Sequence, residues 1–155
     1  TVHEYISTYQ MVYENDKAPL LSNSATNFTI RNLSEKDVPE MLELTAQTKP
    51  GPFFQKTIDF GHYEGIFEQE RLVSMAGYRL NPFNYTEISA VCTAPDALGK
   101  GYAGIILASR VASILKQGNI PFLHVKTDND RAVSRYERSG FSTRKWIHIY
   151  LFTKD

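Results

Sequence analysis

The chain holds a single cysteine, Cys92, and no surplus of either charge. A lone thiol excludes an internal disulfide, and no Cys/His spacing fits zinc. Both absences suit a reducing, cytoplasmic setting. Lys+Arg and Asp+Glu each number 17, with no block of like charge. Duplex nucleic acid is gripped by basic surfaces that neutralise several phosphates, so it is not an expected partner. Apolar runs such as Ile105-Ile106-Leu107-Ala108 fall far short of the ~20 residues a membrane helix needs. No basic segment followed by an apolar stretch marks a signal peptide, so the Asn-x-Thr triplets at Asn27 and Asn84 read as chance.

The 155 residues are enough to bury roughly two-thirds of the unfolded surface in one core. Val2, Tyr5, Ile6, Tyr9, Val12 and Tyr13 recur at helical spacing, and a polar linker, Asn23 to Asn27, follows. Residues 1–26 are therefore expected to be a helical extension or the remnant of a preceding lobe. Thr1 in place of Met fits a fragment. The domain proper is expected over residues 27–155.

From Phe28 the pattern is regular. Phe28 to Arg31 alternates as a strand does. Ser34 with Asp37 resembles a helix start, Val38, Met41, Leu42 and Leu44 continue at helical period, and Lys49-Pro50-Gly51-Pro52 stops it. A loop rich in aromatics follows (Phe53, Phe54, Phe60, Tyr63, with His62). Strands are expected at 63–68, 71–80 and 85–93, with turns short enough for an antiparallel meander. A helix over 101–117 stops at Gly118, a strand covers 121–127, and a short helix from Arg131 to Ser139 is closed by Gly140. A last strand runs from Phe141 to Phe152. The expected fold is a mixed α/β (α+β) sheet, antiparallel in its first half, with a parallel strand–helix–strand crossover after it and helices on both faces.

The most informative stretch runs from Glu87 to Gly104, where a strand passes through a Pro-containing turn into Gly99, Gly101 and Gly104 and then a helix. Glycines there leave N–H groups uncovered at the positive helix end, a site for phosphate. G-x-G-x-x-G alone is weak evidence of a dinucleotide fold. Five residues separate it from the strand, and the preceding strands are antiparallel, unlike a dinucleotide domain. A phosphate-loop NTPase needs a hydroxyl residue where Tyr102 stands, and no kinase motif follows.

A second motif follows strand 121–127: Asn129, Ala132, Tyr136, Gly140 and Phe141. With Leu98-Gly99-Lys100-Gly101-Tyr102-Ala103, it resembles the GNAT superfamily of acyl-CoA-dependent N-acyltransferases. Within that superfamily the pattern is most similar to the branch of glycine N-acyltransferase-like C-terminal domains. Leu98 stands where the family usually has Arg or Gln, and Arg135 where it has an apolar residue. The resemblance implies an N-acetyltransferase that moves acetyl from acetyl-CoA to a small-molecule or peptide amine in a ternary complex. The alternative is a non-catalytic acyl-CoA-binding module.

On that resemblance, amides from Leu98 through Gly99, Lys100, Gly101, Tyr102 and Ala103 to Gly104 hold the coenzyme A pyrophosphate. Val91, Cys92 and Thr93 pair with the pantetheine arm, and an amide near Val91 stabilises the oxyanion. Asn129 and Ala132 face the cofactor, although Asn129 is equally a helix cap. Tyr136 is the expected general acid, since a phenol with pKa near 10 is protonated at neutral pH; its other reading is core packing. Glu87, fourteen positions before Gly101, is the candidate base; its other reading is an ion pair across the sheet. Cys92 reads as a small buried hydrophobe rather than a nucleophile.

Overall fold

A computed structural model describes residues 2–20 and 27–152. The linker from Asn23 lies outside these residues, apart from Asn27. Seven strands form one sheet: β1 (Val2–Tyr13), β2 (Thr29–Asn32), β3 (Glu64–Glu68), β4 (Arg71–Tyr78), β5 (Tyr85–Thr93), β6 (Ile120–Lys126) and β7 (Phe141–Phe152). Three helices accompany them, α1 (Val38–Thr48), α2 (Tyr102–Lys116) and α3 (Asp130–Arg138). The strand order is β2-β3-β4-β5-β6-β1-β7. Strands β2 to β5 are antiparallel neighbours, and β5–α2–β6 is the parallel crossover. The meander, crossover and three helices match the sequence expectation to within a few residues.

One expectation is overturned. Residues 2–13 form no helix; they are β1, antiparallel to both β6 and β7. The helical spacing arose because both faces of the strand are covered. Met11 and Tyr13 are buried on one face and Thr8 and Val12 on the other, which erases the period-two alternation of a half-buried strand. Its Val, Ile, Thr and Tyr content is that of a strand.

Helices lie on both faces of the β4–β5 pair. Along β4, Met75 and Tyr78 point to opposite sides. Met75 pairs with Cys92, whose side chain shares the core with Met41 and Leu44 of α1, while the Tyr78 hydroxyl donates to Arg110 O of α2. Met41 and Leu44 from α1, and Ile106, Leu107, Val111 and Ile114 from α2, fill the core between helices and sheet.

Entry to α1 is fixed by Asp37. Its carboxylate accepts from the Ser34 N–H at 2.7 Å and from Arg31 at 2.7 and 3.0 Å. The Arg31 hydrogen bond leads the causes that lower its pKa from 3.8 to about 2. A lowered carboxyl stabilises the fold above its unfolded pKa and loses that contribution as pH falls toward the folded value. Asp37→Asn is expected to cost about 1–2 kcal/mol at neutral pH. In urea unfolding, the gap to wild type should close between pH 4 and about 2.

Candidate functional site

The site begins where two strands part. β5 and β6 pair only from Tyr85↔Ile120 to Glu87↔Phe122, although β5 continues to Thr93 and β6 to Lys126. On its other side β6 is paired with β1. The β6-facing edge of β5 beyond Glu87 therefore borders a cleft of ≈ 430 Å³, lined by residues 87 to 93, with His124 to Lys126 and α3 opposite.

A β-bulge sits on that edge. Met75 pairs with Cys92 and Gly77 with Ser89, so Ala90 and Val91 together oppose Ala76. Ala90 has φ +54°, in the left-handed region that costs an L-residue roughly 1–2 kcal/mol. A bulge leaves its extra residue out of the ladder and re-aims its neighbours. Ala90 and Val91 both line the cleft, as does Thr93, while the buried Cys92 side chain turns toward α1. Burial pushes the Cys92 thiol up to about 12, so thiolate is scarce at neutral pH.

The glycine turn stands at one end. Gly99 and Gly101 have φ +84° and +85°, a backbone that favours glycine. Among the described residues, the main-chain N–H groups of Gly99 to Ala103 donate to no other main-chain group, whereas Gly104 N–H bonds Gly101 O at 3.0 Å. Leu98 and Ala103 are on the cleft wall. Tyr102 is not: its ring is buried, and its hydroxyl donates to Glu68. The Lys100 ammonium also goes to Glu68, at 2.7 and 2.9 Å, and with the Arg71–Asp96 pair it ties the turn to the β3–β4 hairpin.

Tyr136 lies across the cleft. It is 8 % exposed, packs edge-on against Phe141 and lines the cleft. Burial pushes its phenol up to about 12, so it keeps its proton at neutral pH. Among the described residues its hydroxyl bonds no other group. Ala132 and Asn129 share the wall, and Asn129 Oδ1 caps α3 by accepting from Ala132 N–H at 3.1 Å.

Glu87 is fully buried. Arg79 donates to it from Nε at 3.0 Å and through its terminal nitrogen, and His124 Nδ1 lies 2.7 Å from Oε1. Burial alone would raise this carboxyl, but the bonds from His124 and Arg79 outweigh it and hold the group below the ordinary glutamate range. The arrangement combines an ion pair with a contact to a histidine on the cleft wall. Tyr63 packs over Gly77, where a Cβ would come within 2.5 Å of its ring.

The ion pair across the sheet is the other reading of Glu87, here made with Arg79; the bond from His124 is a partner sequence reasoning did not single out. His124 lies on another strand 37 positions from Glu87, and no local spacing encodes that link. The cleft wall also carries Lys126, Arg131 and Arg135.

A family profile described as FR47-like protein matches residues 63–150. N-alpha-acetyltransferase RimI of Mycobacterium tuberculosis is 30% identical over 125 residues, covering 73% of this chain and 77% of that protein. A crystal structure of a putative acetyltransferase of the GNAT family from Novosphingobium aromaticivorans is 32% identical, with TM-score 0.84 over 97% of this chain. The chain belongs to the GNAT superfamily. It spans 65% of the Novosphingobium chain. The GNAT fold is shared as well by a PaiA N-acetyltransferase from Thermoplasma acidophilum, solved in complex with coenzyme A, at 15% identity and TM-score 0.64 over 81% of this chain and 100% of that one.

The bulge of this GNAT chain sets a stability test. Ala90→Gly removes the steric cost at φ +54° and should leave stability within about 1 kcal/mol of wild type. Ala90→Val, branched at Cβ, should cost about 1–2 kcal/mol in denaturant unfolding.

Proposed function

We propose that this chain transfers an acetyl group from acetyl-CoA directly to an amine within a ternary complex. The observation that carries the reading is an unpaired strand edge and a buried phenol, without a hydrogen-bond partner among the described residues, facing one cleft. Membership of an acetyltransferase superfamily and the coenzyme A complex of the Thermoplasma relative support the same donor. The donor set fits it: free turn amides for a pyrophosphate, a strand edge for an amide-bearing arm, and cationic walls at Lys126, Arg131 and Arg135 for an anion.

Bound acetyl-CoA would supply the activated acyl carbon. The amides of Gly99 to Ala103, at the positive end of α2, hold the pyrophosphate. Val91, Cys92 and Thr93 offer main-chain groups to the pantetheine arm as a neighbouring strand would. The bulge aims a main-chain donor near Val91 at the developing oxyanion. Tyr136 gives its proton to the departing sulfur. Lys100, held by Glu68, acts mainly by shaping the turn. Glu87 has both oxygens bonded, so its part in amine deprotonation runs through His124.

RimI is named for N-alpha acetylation, which makes the N-terminal amine of a peptide the first acceptor class to try. A panel of a short peptide with N-terminal alanine, glycine, free lysine and phenylethylamine, read by thiol release from acetyl-CoA, tests the reading. Thermal stabilisation by coenzyme A but not by NAD is expected; the reverse would refute it. Tyr136→Phe should lower kcat roughly 10²-fold and leave that stabilisation intact. Ala103→Leu avoids the backbone strain that any side chain at Gly101 would add, and should abolish the coenzyme A shift by crowding the turn.

A further inference from the structure

His124 lines the reaction cleft, and its neighbour Gln10 lines a smaller hollow of ≈ 170 Å³ with Tyr85, Phe122 and Arg144. A line of polar contacts passes through His124 across the sheet. Arg144 on β7 donates to Gln10 Oε1 at 2.7 Å. Gln10 Nε2, on β1, lies 3.3 Å from His124 Nε2. His124 Nδ1, on β6, meets Glu87 of β5, and Glu87 accepts from Arg79 at the end of β4.

The chemistry of these groups admits one proton arrangement. A guanidinium only donates, so it must face the Gln10 carbonyl oxygen, and that leaves the Gln10 NH₂ facing the imidazole. An NH₂ group only donates, so His124 Nε2 must offer its lone pair. Its proton then sits on Nδ1 and goes to the Glu87 carboxylate, which only accepts when ionised. Donor and acceptor alternate from Arg144 to Arg79 without a clash.

We propose that His124 Nε2 is the atom that takes the proton from the incoming amine, and that Gln10 and Arg144 are positioning residues that keep this nitrogen unprotonated. The proposal rests on the acetyltransferase reading and adds the base to it. In the step, an N–H bond of the substrate ammonium breaks and a bond to Nε2 forms. The positive charge moves onto an imidazolium beside Glu87, and the neutral amine keeps the electron pair it attacks with. At 3.3 Å, the Gln10 contact is longer than the 2.7 Å contacts on either side of it, so an amine displaces Gln10 rather than Glu87. Glu87 and Arg79 form a paired anion and cation against the ring, with the Tyr63 phenol close to both. Lys126 on the same face of β6, Arg144 behind Gln10, Tyr85 in the smaller hollow, and Lys49, Cys92, Arg131, Arg135 and Tyr136 on the cleft wall are the other titratable groups lining the two spaces among the described residues.

Nitrogen-15 NMR of the labelled, ligand-free protein reads the tautomer directly. The neutral ring of His124 should carry its proton on Nδ1 in wild type and become a mixture of both tautomers in Arg144→Met. A wild-type ring protonated on Nε2 overturns the proposal. Gln10→Glu replaces the donor with an acceptor that favours a proton on Nε2. With the fastest acceptor of the panel, the acid limb of its kcat profile should move up by about one pH unit, while His124→Asn should lose roughly 10²-fold or more in kcat. An unmoved acid limb in Gln10→Glu, or His124→Asn within about threefold of wild type, assigns the proton to water or another group. Coenzyme A stabilisation should persist in all three variants. Its absence from wild type would refute the acetyltransferase reading, and the tautomer result would still stand by itself.

Discussion

Everything at this site depends on the short life of the β5–β6 ladder. Three paired positions hold the strands together, and beyond them each strand is held only by its outer neighbour, β4 or β1. Unpaired main chain inside a protein is costly, so a parted sheet survives only if water or a ligand meets the exposed groups. The bulge at Ala90–Val91 contributes to the parting, because bulges bend a strand and increase its twist. A free edge is thus kept in the middle of a sheet, where it does not invite aggregation as an outer edge would. Tyr136 projects toward the same gap from α3, a helix placed by the strand that lines the gap's far wall.

The second constraint is electrostatic. A carboxylate as deeply buried as Glu87 would be neutralised or expelled without partners, since removing an ion from water costs several kcal/mol. Arg79 and His124 make the charge tolerable, and in doing so they occupy the oxygens that a direct base would need. A carboxyl that looks catalytic from its place on the strand is therefore bonded on both oxygens, one of them to the histidine beside it.

Much of this was legible in the residues because it is local. Gly99, Gly101 and the helix after them, Asn129 ahead of α3, and Tyr136 with Gly140 and Phe141 signal turns and helix ends within a few positions. The antiparallel meander followed from its short turns. The strand β1 was misread, because coverage of both its faces mimics a helical stripe. The bulge was invisible, since Ala90 takes a backbone conformation that sequence associates with glycine. The partnerships of Glu87 with His124, of Lys100 with Glu68, and of Gln10 with Arg144 span 32 to 134 positions. No periodicity carries such information.

The place of β1 has a temporal consequence. It lies between β6 and β7, and its Tyr13 faces Phe141 across the ladder. β1 therefore leaves the ribosome roughly 6–26 s before the β7 it pairs with, at ordinary synthesis rates. Gln10, carried on that strand, meets the imidazole only once β6 has emerged. Closing a loop of this length makes for slow assembly, so the part of the sheet around β1 should become native later than the β2–β5 meander.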